Sequence, residues 1–342
     1  MNILIIMDAG VPVPPKLYGG HERLVYMFAE QYIKMGHSVT VMAGPESFCS
    51  GKTISFGKNG LPKGKIQSLL EVIIVWKYLF FNHKKYDLIH NFGRLVYLFP
   101  ILNESVIKIM TYGRLVTAKN IENICKRKNK HLIFTGCSNY LVSTGNVAGN
   151  WETVYNAIEF EKYTLNVNIS EDAPLMFLGR LDKIKGCHNA IKLAKKSGRK
   201  LIIAGNISHV EEEKKYFKEE IEPFIDNTQI TYVGPINDAQ KNHYLGQSIA
   251  LLMLIEWDEP FGMVMTEAMA CGTPVIGFRR GSVPEVVEDR ITGFVVDNLD
   301  DAFKALNNIN VIDRTNCRIR SKSRFDVDVI ANDYLTISVK DN

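Results

Sequence analysis

The stretch EPFGMVMTEAMACGTPVI, residues 259–276, determines how the rest of this sequence is interpreted. Pro260 and Gly262 lead into a helix-forming run, and a short apolar strand follows it. The free amides in the first turn of such a helix attract a phosphate group, and Gly262 lets a ligand approach the backbone closely. Glu259 lies before the helix and Glu267 inside it, so together they can bind hydroxyls on either side of that phosphate.

A purely structural interpretation of the same stretch has an exposed Glu259 and a solvated helical Glu267. Against it, Glu267 lies among Met265, Ala268 and Met269, a mostly apolar neighbourhood in which an unpaired charge is costly. The stretch therefore predicts a binding site for a phosphorylated ligand that carries hydroxyls.

Short apolar runs alternate with longer amphipathic segments along the whole chain. Residues 20–35 have helical spacing, with Leu24, Phe28 and Tyr32 at i, i+4 and i+8. The predicted strands are residues 2–7, 38–43, 87–91, 106–111 and 132–137, then 175–178, 201–204, 230–233, 249–254, 274–276 and 293–296. Strand–helix alternation twice over predicts an α/β protein with two parallel-sheet, Rossmann-like domains. Because the pattern breaks at Asn156-Ala157, we place the domains at residues 1–157 and 158–325.

Composition excludes several classes of protein. Apolar residues make up 46% and charged residues 23% of the 342, which excludes disorder, collagen and coiled coil as descriptions of the whole chain. No apolar run reaches the ~18–20 residues of a membrane-spanning helix. The apolar N-terminus ends at Asp8 without a basic region, which predicts a buried strand and not a signal peptide. Six scattered cysteines without a CxxC pair fit a reducing cytosol.

Charge is distributed unevenly between the two halves. Residues 1–157 contain 18 Lys and Arg against 9 Asp and Glu, a net +9, whereas residues 158–342 contain 23 against 28, a net −5. A basic first half indicates an anionic partner there, such as acidic lipid headgroups, a lipid diphosphate or nucleic acid. The alternative is a basic surface that only aids solubility.

One segment of the first half is largely apolar and is interrupted only by a few polar residues such as Glu71 and Lys77. Residues 66–81 include Trp76, Phe80 and Phe81, and Lys84-Lys85 follow shortly after. We favour a helix packed on the first sheet, since buried helices are common. The alternative is an interfacial helix with a basic collar, which contacts an anionic membrane surface.

Other nucleotide and metal motifs are weak or missing. There is no GxGxxG, so a dinucleotide dehydrogenase loses its main support. The DxD at Asp326–Asp328 lies among basic residues of the C-terminal tail, and we interpret it as chance. In FLGRLDKIKG, residues 177–186, a strand enters Gly179, and Arg180 and Lys185 flank a short turn. Two cations on one loop suit a diphosphate, although basic loops are usually just solvated.

Residues 259–267 resemble the Glu-x7-Glu signature of retaining glycosyltransferases with the GT-B fold, in the large group often called family 4. Arg180 and Lys185 match the family's Arg/Lys pair. Further matches are residues 281–287 and 292–294 after the second Glu, the glycine loop Tyr18-Gly19-Gly20-His21-Glu22-Arg23, and the strand entry Gly36-His37-Ser38-Val39. The resemblance covers essentially the whole chain and is most specific in residues 175–296.

The resemblance implies two Rossmann-like domains facing a cleft, with the donor bound by the second. Arg180 and Lys185 would neutralise the donor's diphosphate, Glu267 would bind ribose hydroxyls, and Glu259 would bind the transferred sugar. Other implied donor contacts are Gly19, Gly20, Gly179, Gly205, Asn206, Val233, Pro235, Phe261, Gly262, Met263 and Val264. The tail, residues 326–342, would form a closing helix that returns to the first domain, with residues 325–338 helical.

The acceptor side departs from the family's pattern. Many relatives place a His after the strand equivalent to residues 107–111, but this chain has Thr111-Tyr112-Gly113-Arg114 there. We therefore consider Thr111, Tyr112 and Arg114 as acceptor-side substitutes. His90 follows a neighbouring strand, and a lone His of this kind is more often structural.

The sequence thus predicts a cytoplasmic retaining glycosyltransferase that needs neither metal nor cofactor. It would move a hexosyl group from a nucleoside-diphosphate sugar to a sugar or lipid-linked acceptor, in glycan, glycolipid or cell-surface polysaccharide biosynthesis. We expect no nucleic-acid partner, and a peripheral contact with the inner face of the membrane is the prediction that follows from the basic first half. The alternatives are an epimerase or phosphorylase of the same fold and a non-catalytic nucleotide-sugar-binding module.

Overall fold

A computed structural model describes residues 1–16, 19–60, 63–116, 118–127, 129–145 and 149–340. The chain divides into two compact units: residues 1–157 together with 327–342, and residues 158–326. Each unit is built around one parallel sheet. The predicted α/β fold with two Rossmann-like domains is confirmed.

The first unit contains a seven-stranded sheet within the described residues. Its strands are β1 (Asn2–Ile6), β2 (Ser38–Ala43), β3 (Lys52–Ser55), β4 (Leu88–Asn91), β5 (Ile107–Tyr112), β6 (Leu132–Gly136) and β7 (Asn150–Thr153). Their order is β3-β2-β1-β4-β5-β6-β7, and all the pairs are parallel. Central strands such as β1 are apolar on both faces, because helices cover both sides of a parallel sheet.

Helices cover the two faces of this sheet in a way that the strand order dictates. The helices are α1 (Gly20–Lys34), α2 (Lys65–Asn82), α3 (Ala118–Cys125) and α4 (Asn139–Gly145), and residues Leu95–Ile101 form a 3₁₀ segment. The connections from β1 to β3 run toward one edge of the sheet, whereas the connections from β3 to β7 run toward the other edge. Because these crossovers are right-handed, α1 lies on one face of the sheet and α2, α3 and α4 lie on the opposite face. In agreement, Val72, Val75 and Leu79 of α2 share one core cluster with Ile121 and Ile124 of α3.

The second unit has a six-stranded parallel sheet in the part of the chain described. Its strands are β8 (Leu175–Leu178), β9 (Leu201–Ala204), β10 (Ile230–Gly234), β11 (Ala250–Met253), β12 (Val275–Phe278) and β13 (Gly293–Val296), in the order β10-β9-β8-β11-β12-β13. Its helices are α5 (Cys187–Ser197), α6 (Glu211–Glu220), α7 (Asp238–Gln247), α8 (Met263–Ala270), α9 (Val283–Val286), α10 (Leu299–Asn307) and α11 (Arg314–Phe325). The strand order reverses beside β8, which is where open α/β sheets form a ligand crevice.

The tail, residues 326–342, has one helix in its described part, where the sequence analysis predicted one, and this helix starts two residues after the predicted start at Phe325. Asp326 has an extended backbone, with φ −66° and ψ 144°, and it ends α11. Its neighbour Phe325 accepts a hydrogen bond from the Ile158 amide at 3.0 Å, which ties this break to the start of the second unit. The last helix, α12 (Val327–Lys340), belongs to the first unit and packs against α1. Residues 341 and 342 lie outside the described residues.

The sequence analysis did not predict two of the strands, and these two form the edges of the first sheet. β3 reads KTIS and β7 reads NWET, and neither has a fully buried residue. An edge strand lacks the continuous apolar run that marks a central parallel strand. Among the described residues, no helix combines the length and the apolar character needed to cross a membrane.

Arg314 joins α11 to the rest of the second unit. Its guanidinium is buried and donates hydrogen bonds to the carbonyl oxygens of Asn166 (2.5 Å), Ser248 (3.0 Å) and Gly246 (2.9 Å), and to Thr273 Oγ1 (2.6 Å). Burial lowers the pKa of Arg314 to about 10. The side chain therefore satisfies several interior acceptors at once.

We expect Arg314→Met to lower the free energy of unfolding of the second unit by about 3 kcal/mol or more, because it leaves buried carbonyl groups without donors. Urea denaturation of the whole chain measures this loss. Arg320→Met on the same helix is the matched control, because Arg320 is exposed and its pair with Glu288 lies at the surface. A similar loss in both variants would contradict the interpretation.

Candidate functional site

The start of α8 has the geometry of an anion-binding helix terminus. Gly262 adopts a left-handed conformation, with φ 75° and ψ 67°. A Cβ at this position would lie 2.8 Å from Met265 Cε and 3.2 Å from Glu259 Cγ, so the turn accommodates only glycine. The amides of Met263 and Val264 belong to the first helical turn, whose N–H groups have no intrahelical acceptor. Phe261 is buried and its ring contacts Phe325 edge-on at 5.7 Å, which anchors the turn.

Lys185 and Glu259 form an ion pair in front of this turn. Lys185 Nζ donates to Glu259 Oε2 at 2.6 Å, and both side chains are largely buried. Trp257 Nε1 donates to the same oxygen at 3.0 Å, and Lys185 Nζ lies 4.4 Å from the centroid of the Trp257 ring. The fold thus brings together two residues that are 74 positions apart, and it adds Trp257, which the sequence analysis overlooked although it stands two residues before Glu259.

Arg180 is placed differently from Lys185. Its guanidinium pairs with Asp182 Oδ2 at 2.8 Å, and 55% of its side chain is exposed. The other carboxylate oxygen of Asp182, Oδ1, is buried and has no hydrogen-bond partner among the described residues. The loop after β8 therefore carries an accessible guanidinium, that of Arg180, which forms a salt bridge with the almost fully buried carboxylate of Asp182.

Glu267 is buried but not unpaired. Lys241 Nζ of α7 donates to Glu267 Oε1 at 2.6 Å, and Tyr163 Oη donates to the same oxygen at 3.1 Å. Burial, and then the charge of Glu267, raises the pKa of the Tyr163 hydroxyl well above its usual value. Sequence spacing could not reveal these partners, because they come from a different helix and from the loop that opens the second unit.

The loops after β8, β9 and β10 are in direct backbone contact. A Cβ on Gly205 would lie 1.7 Å from the carbonyl oxygen of Gly179, and the Gly205 amide donates to Gly234 O at 2.9 Å. Asn206 O accepts from the Leu181 amide at 3.0 Å. Val233 and Gly234 are the last two residues of β10, and Pro235 follows them. These residues form one continuous backbone surface at the carboxyl ends of β8, β9 and β10.

The first unit has its own cavity, of about 540 Å³, at the carboxyl ends of β1, β4 and β5. Three of the predicted acceptor-side residues, Thr111, Tyr112 and Arg114, line it. His21 also lines it, and the sequence analysis did not single this residue out. A Cβ on Gly113 would lie only 1.8 Å from His21 Nε2, so the loop after β5 rests directly against the imidazole.

The pKa of His21 lies below its usual value. Burial lowers the pKa of His21 first, the nearby Arg114 lowers it further, and Asp8 acts in the opposite direction. His21 immediately follows Gly19-Gly20 in the glycine loop, and this position is the signal that could have marked it. A Cβ on Gly19 would lie 2.8 Å from both Glu22 Oε2 and Pro15 Cβ, whereas Gly20 has open space around it. Tyr18 of the same loop lies outside the described residues.

His90 lies in the interior of the first unit and does not line the cavity. It is fully buried, its Nε2 lies 2.8 Å from Thr111 Oγ1, and its ring packs on Phe92 and Tyr334 with centroids 4.2 and 4.4 Å away. Burial lowers the pKa of His90 to about 3. In this position the imidazole hydrogen-bonds to the Thr111 side chain from the protein interior, and a ligand in the cavity cannot contact it.

The aspartates of the DxD pattern point to no metal centre. Asp326 is buried and lies 3.6 Å from Lys322, and Asp328 lies on the next helix, 3.9 Å from Lys34. Within the described ranges, no group of three or more His, Cys, Asp or Glu side chains is arranged to hold a metal ion.

Comparison with known proteins connects this geometry to a family. Residues 161–312 match the family model described as Glycosyl transferases group 1. A Klebsiella pneumoniae protein, described as an uncharacterized 41.2 kDa protein in the cps region, is 28% identical over 335 residues, which cover 85% of this chain and 88% of that protein. The lipopolysaccharide 1,2-N-acetylglucosaminetransferase of Salmonella typhimurium strain LT2 is 30% identical over 172 residues, covering 46% of this chain and 44% of that enzyme.

The solved structure of Anabaena Alr3699/HepE in complex with UDP and glucose matches this chain with a TM-score of 0.73 at 18% identity, over 98% of each chain. Identity this low shows the fold alone. The chain therefore has the GT-B fold, and residues 161–312 of its second unit match the family model of group 1 of the glycosyl transferases.

The buried, neutral state of His90 has a consequence for stability in acid. Its pKa is about 3 in the folded state, against about 6.5 in an unfolded chain. Between these values the unfolded state binds one more proton, so His90 stabilises the fold fully above about pH 6.5 and less as the pH falls. We expect His90→Gln to make the loss of stability between pH 7 and pH 5 shallower, by up to about 1.4 kcal/mol per pH unit.

Urea denaturation at several pH values measures this slope for the wild type and for His90→Gln. His243→Gln serves as the control, because His243 is exposed on α7. Equal slopes for the wild type and His90→Gln would show that His90 titrates normally in the folded protein.

Proposed function

We propose that this glycosyltransferase moves a sugar from a nucleoside-diphosphate donor to an acceptor hydroxyl with retention of configuration. The observation that carries the proposal is the pairing of two carboxylates with two lysines on either side of the α8 start: Lys185 with Glu259, and Lys241 with Glu267. Each pair places a carboxylate in a largely buried position, where it can accept hydroxyl bonds.

The donor's charged groups fit the cations of this site. When the bond between the sugar carbon and the diphosphate breaks, the diphosphate oxygen takes the electron pair. Arg180, Lys185 and the amides at the start of α8 stabilise the charge that develops there. The acceptor oxygen then bonds to the same face of the sugar, and its proton passes to the leaving diphosphate. These steps require no metal ion, because the chain supplies the positive charge itself.

Glu267 and Glu259 have separate tasks in this proposal. Glu267, held by Lys241 and Tyr163, binds the ribose diol. Glu259 exchanges Lys185 for a sugar hydroxyl as the lysine turns toward the diphosphate. The Anabaena complex with UDP and glucose supports a uridine donor as the first to test, and the lipopolysaccharide enzyme supports an acceptor from cell-surface glycan synthesis.

The outer face of α2 supports a peripheral membrane contact for the first unit. Val72, Val75 and Leu79 face the core, whereas seven large apolar side chains on the other face are exposed. These seven, which we call the α2 stripe, are Ile66, Leu69, Leu70, Ile73, Ile74, Phe80 and Phe81. They follow helical spacing over about 22 Å of helix. A continuous exposed apolar face of this length marks an interaction surface.

The charges around the α2 stripe favour an anionic lipid surface as its partner. Lys65, Lys77, Lys84 and Lys85 are exposed on or beside α2. Lysines next to an apolar helical face are typical of helices that lie in the membrane interface. Trp76 is not part of this surface, because it stacks on Phe99 and donates to Val96 O at 2.7 Å. We propose that α2 holds the enzyme at the inner face of the cytoplasmic membrane.

Glu267→Ala should weaken the binding of free UDP about 10- to 100-fold, because it removes a charged acceptor worth roughly 1.5–3 kcal/mol. Glu259→Gln is the matched variant, and it should bind UDP normally but lose turnover of UDP-glucose. Calorimetry with UDP and GDP, in buffer containing EDTA, measures the affinities. Equal UDP affinities for wild type and Glu267→Ala would remove Glu267 from the ribose site, and binding that requires added Mn²⁺ or Mg²⁺ would contradict the metal-free proposal.

The protein should sediment with vesicles that contain anionic lipid, and binding should fall as salt rises from ~50 to ~500 mM. Joint Phe80→Ser and Phe81→Ser substitution and joint Lys84→Glu and Lys85→Glu substitution should each reduce binding. Val311→Ser is the control, since Val311 is an exposed apolar residue of the second unit. If the wild type stays in the supernatant at low salt, α2 has another partner.

A further inference from the structure

The cavity of the first unit extends across the ends of the strands from one face of the sheet to the other. His21 comes from the first turn of α1, which covers one face. Ile124 comes from α3 on the opposite face, and Val96 and Phe99 come from the 3₁₀ segment that packs on α2. The two sides of the cavity therefore have different chemistry.

The side near α1 is polar. His21 and Arg114 stand together there, and no described residue is hydrogen-bonded to the His21 ring. A neutral imidazole has one donor and one acceptor nitrogen, which matches a hydroxyl group that both donates and accepts. One carboxylate oxygen of Asp8, Oδ1, accepts from Tyr97 Oη at 2.7 Å and from Arg94 Nε at 3.3 Å.

The side near α2 is largely apolar, and Arg94, which pairs with Glu71 of α2, is its charged residue. Phe99 stacks on Trp76 with ring centroids 6.2 Å apart, and Trp76 Nε1 holds the carbonyl oxygen of Val96. Trp76 in turn belongs to α2, whose outer face carries the exposed apolar residues. Leu115 adds a further apolar side chain to the cavity, and it is 61% exposed.

We propose that this cavity binds an amphipathic acceptor, with its hydroxyl-bearing head at His21 and Arg114 and its apolar chain along Val96, Phe99 and Leu115. The inference rests on the proposed glycosyl transfer and specifies the class of acceptor. A soluble sugar would leave the apolar wall in contact with water, whereas an alkyl chain covers it and gains free energy for each methylene it buries. A chain that leaves the cavity beside α2 is also on the side of the molecule that contacts lipid.

The test compares methyl and octyl glycosides of the same sugars as acceptors, with UDP-glucose as donor. The octyl glycosides are kept below their critical micelle concentration. The octyl glycoside should have a kcat/KM about tenfold or more above that of the methyl glycoside. Leu115→Ser and Phe99→Ala should each reduce this octyl-to-methyl ratio at least about fivefold. His21→Leu should lower both values and leave their ratio unchanged, and His21→Gln should restore part of the activity with both acceptors.

Two control proteins distinguish the cavity wall from apolar residues elsewhere on the surface. Ile319→Ser, at an exposed apolar residue of the second unit with 60% exposure, should keep the wild-type ratio. The Phe80→Ser and Phe81→Ser protein should also keep it, because those residues belong to the α2 stripe and not to the cavity wall. A ratio that falls in this protein but not in Leu115→Ser would assign the octyl preference to the α2 stripe and overturn the proposal.

The remaining outcomes distinguish this inference from the function on which it rests. Equal kcat/KM for octyl and methyl glycosides, or hydrolysis of UDP-glucose with transfer to neither, would overturn the amphipathic acceptor and leave the donor chemistry intact. A protein that neither binds UDP nor GDP nor turns over UDP-glucose would overturn the proposed function itself.

Discussion

The ion pair between Lys185 and Glu259 depends on two places where one stretch of backbone touches another. A Cβ on Gly186, next to the lysine, would lie 1.9 Å from the carbonyl oxygen of Leu254 at the end of β11. A Cβ on Gly281 would lie 2.4 Å from the carbonyl oxygen of Glu259 itself. Both glycines have positive φ, so a side chain is excluded by conformation as well as by space. Any larger residue would push the loops apart and separate the two charges.

The fold was largely predictable because the central parallel strands are buried on both faces and read as uninterrupted apolar runs. Residues 175–178, 201–204 and 293–296 became strands with the predicted bounds. The edge strands β3 and β7 were missed. Each pairs with a neighbour on one side only and has no fully buried residue, so polar residues such as Lys52 and Glu152 interrupt the apolar pattern. The start of the last helix was predicted two residues early, because the break at Asp326 involves contact with Ile158 and not a helix-breaking residue.

The candidate site was predictable as far as its residues lie in continuous motifs. Lys185, Glu259 and Glu267 stand out by spacing, but Lys241 and Tyr163 reach Glu267 from elements that no spacing rule connects. His21 and His90 show the same limit. His21 lies in the first turn of α1 and His90 near the end of β4, and only the folded structure places one in the cavity and the other in the core.

The α2 stripe also bears on how this protein behaves in water without lipid. Glu71, buried on the inner face of α2, is held by Lys63 Nζ at 2.7 Å and by Arg94 Nη2 at 3.1 Å, which fixes the rotation of the helix about its axis. The helix therefore cannot turn its apolar side inward to hide it. Two copies that meet through this side remove it from solvent together. An apolar face that stays in contact with water is thus also a liability for self-association, which mild detergent would relieve by covering the same surface.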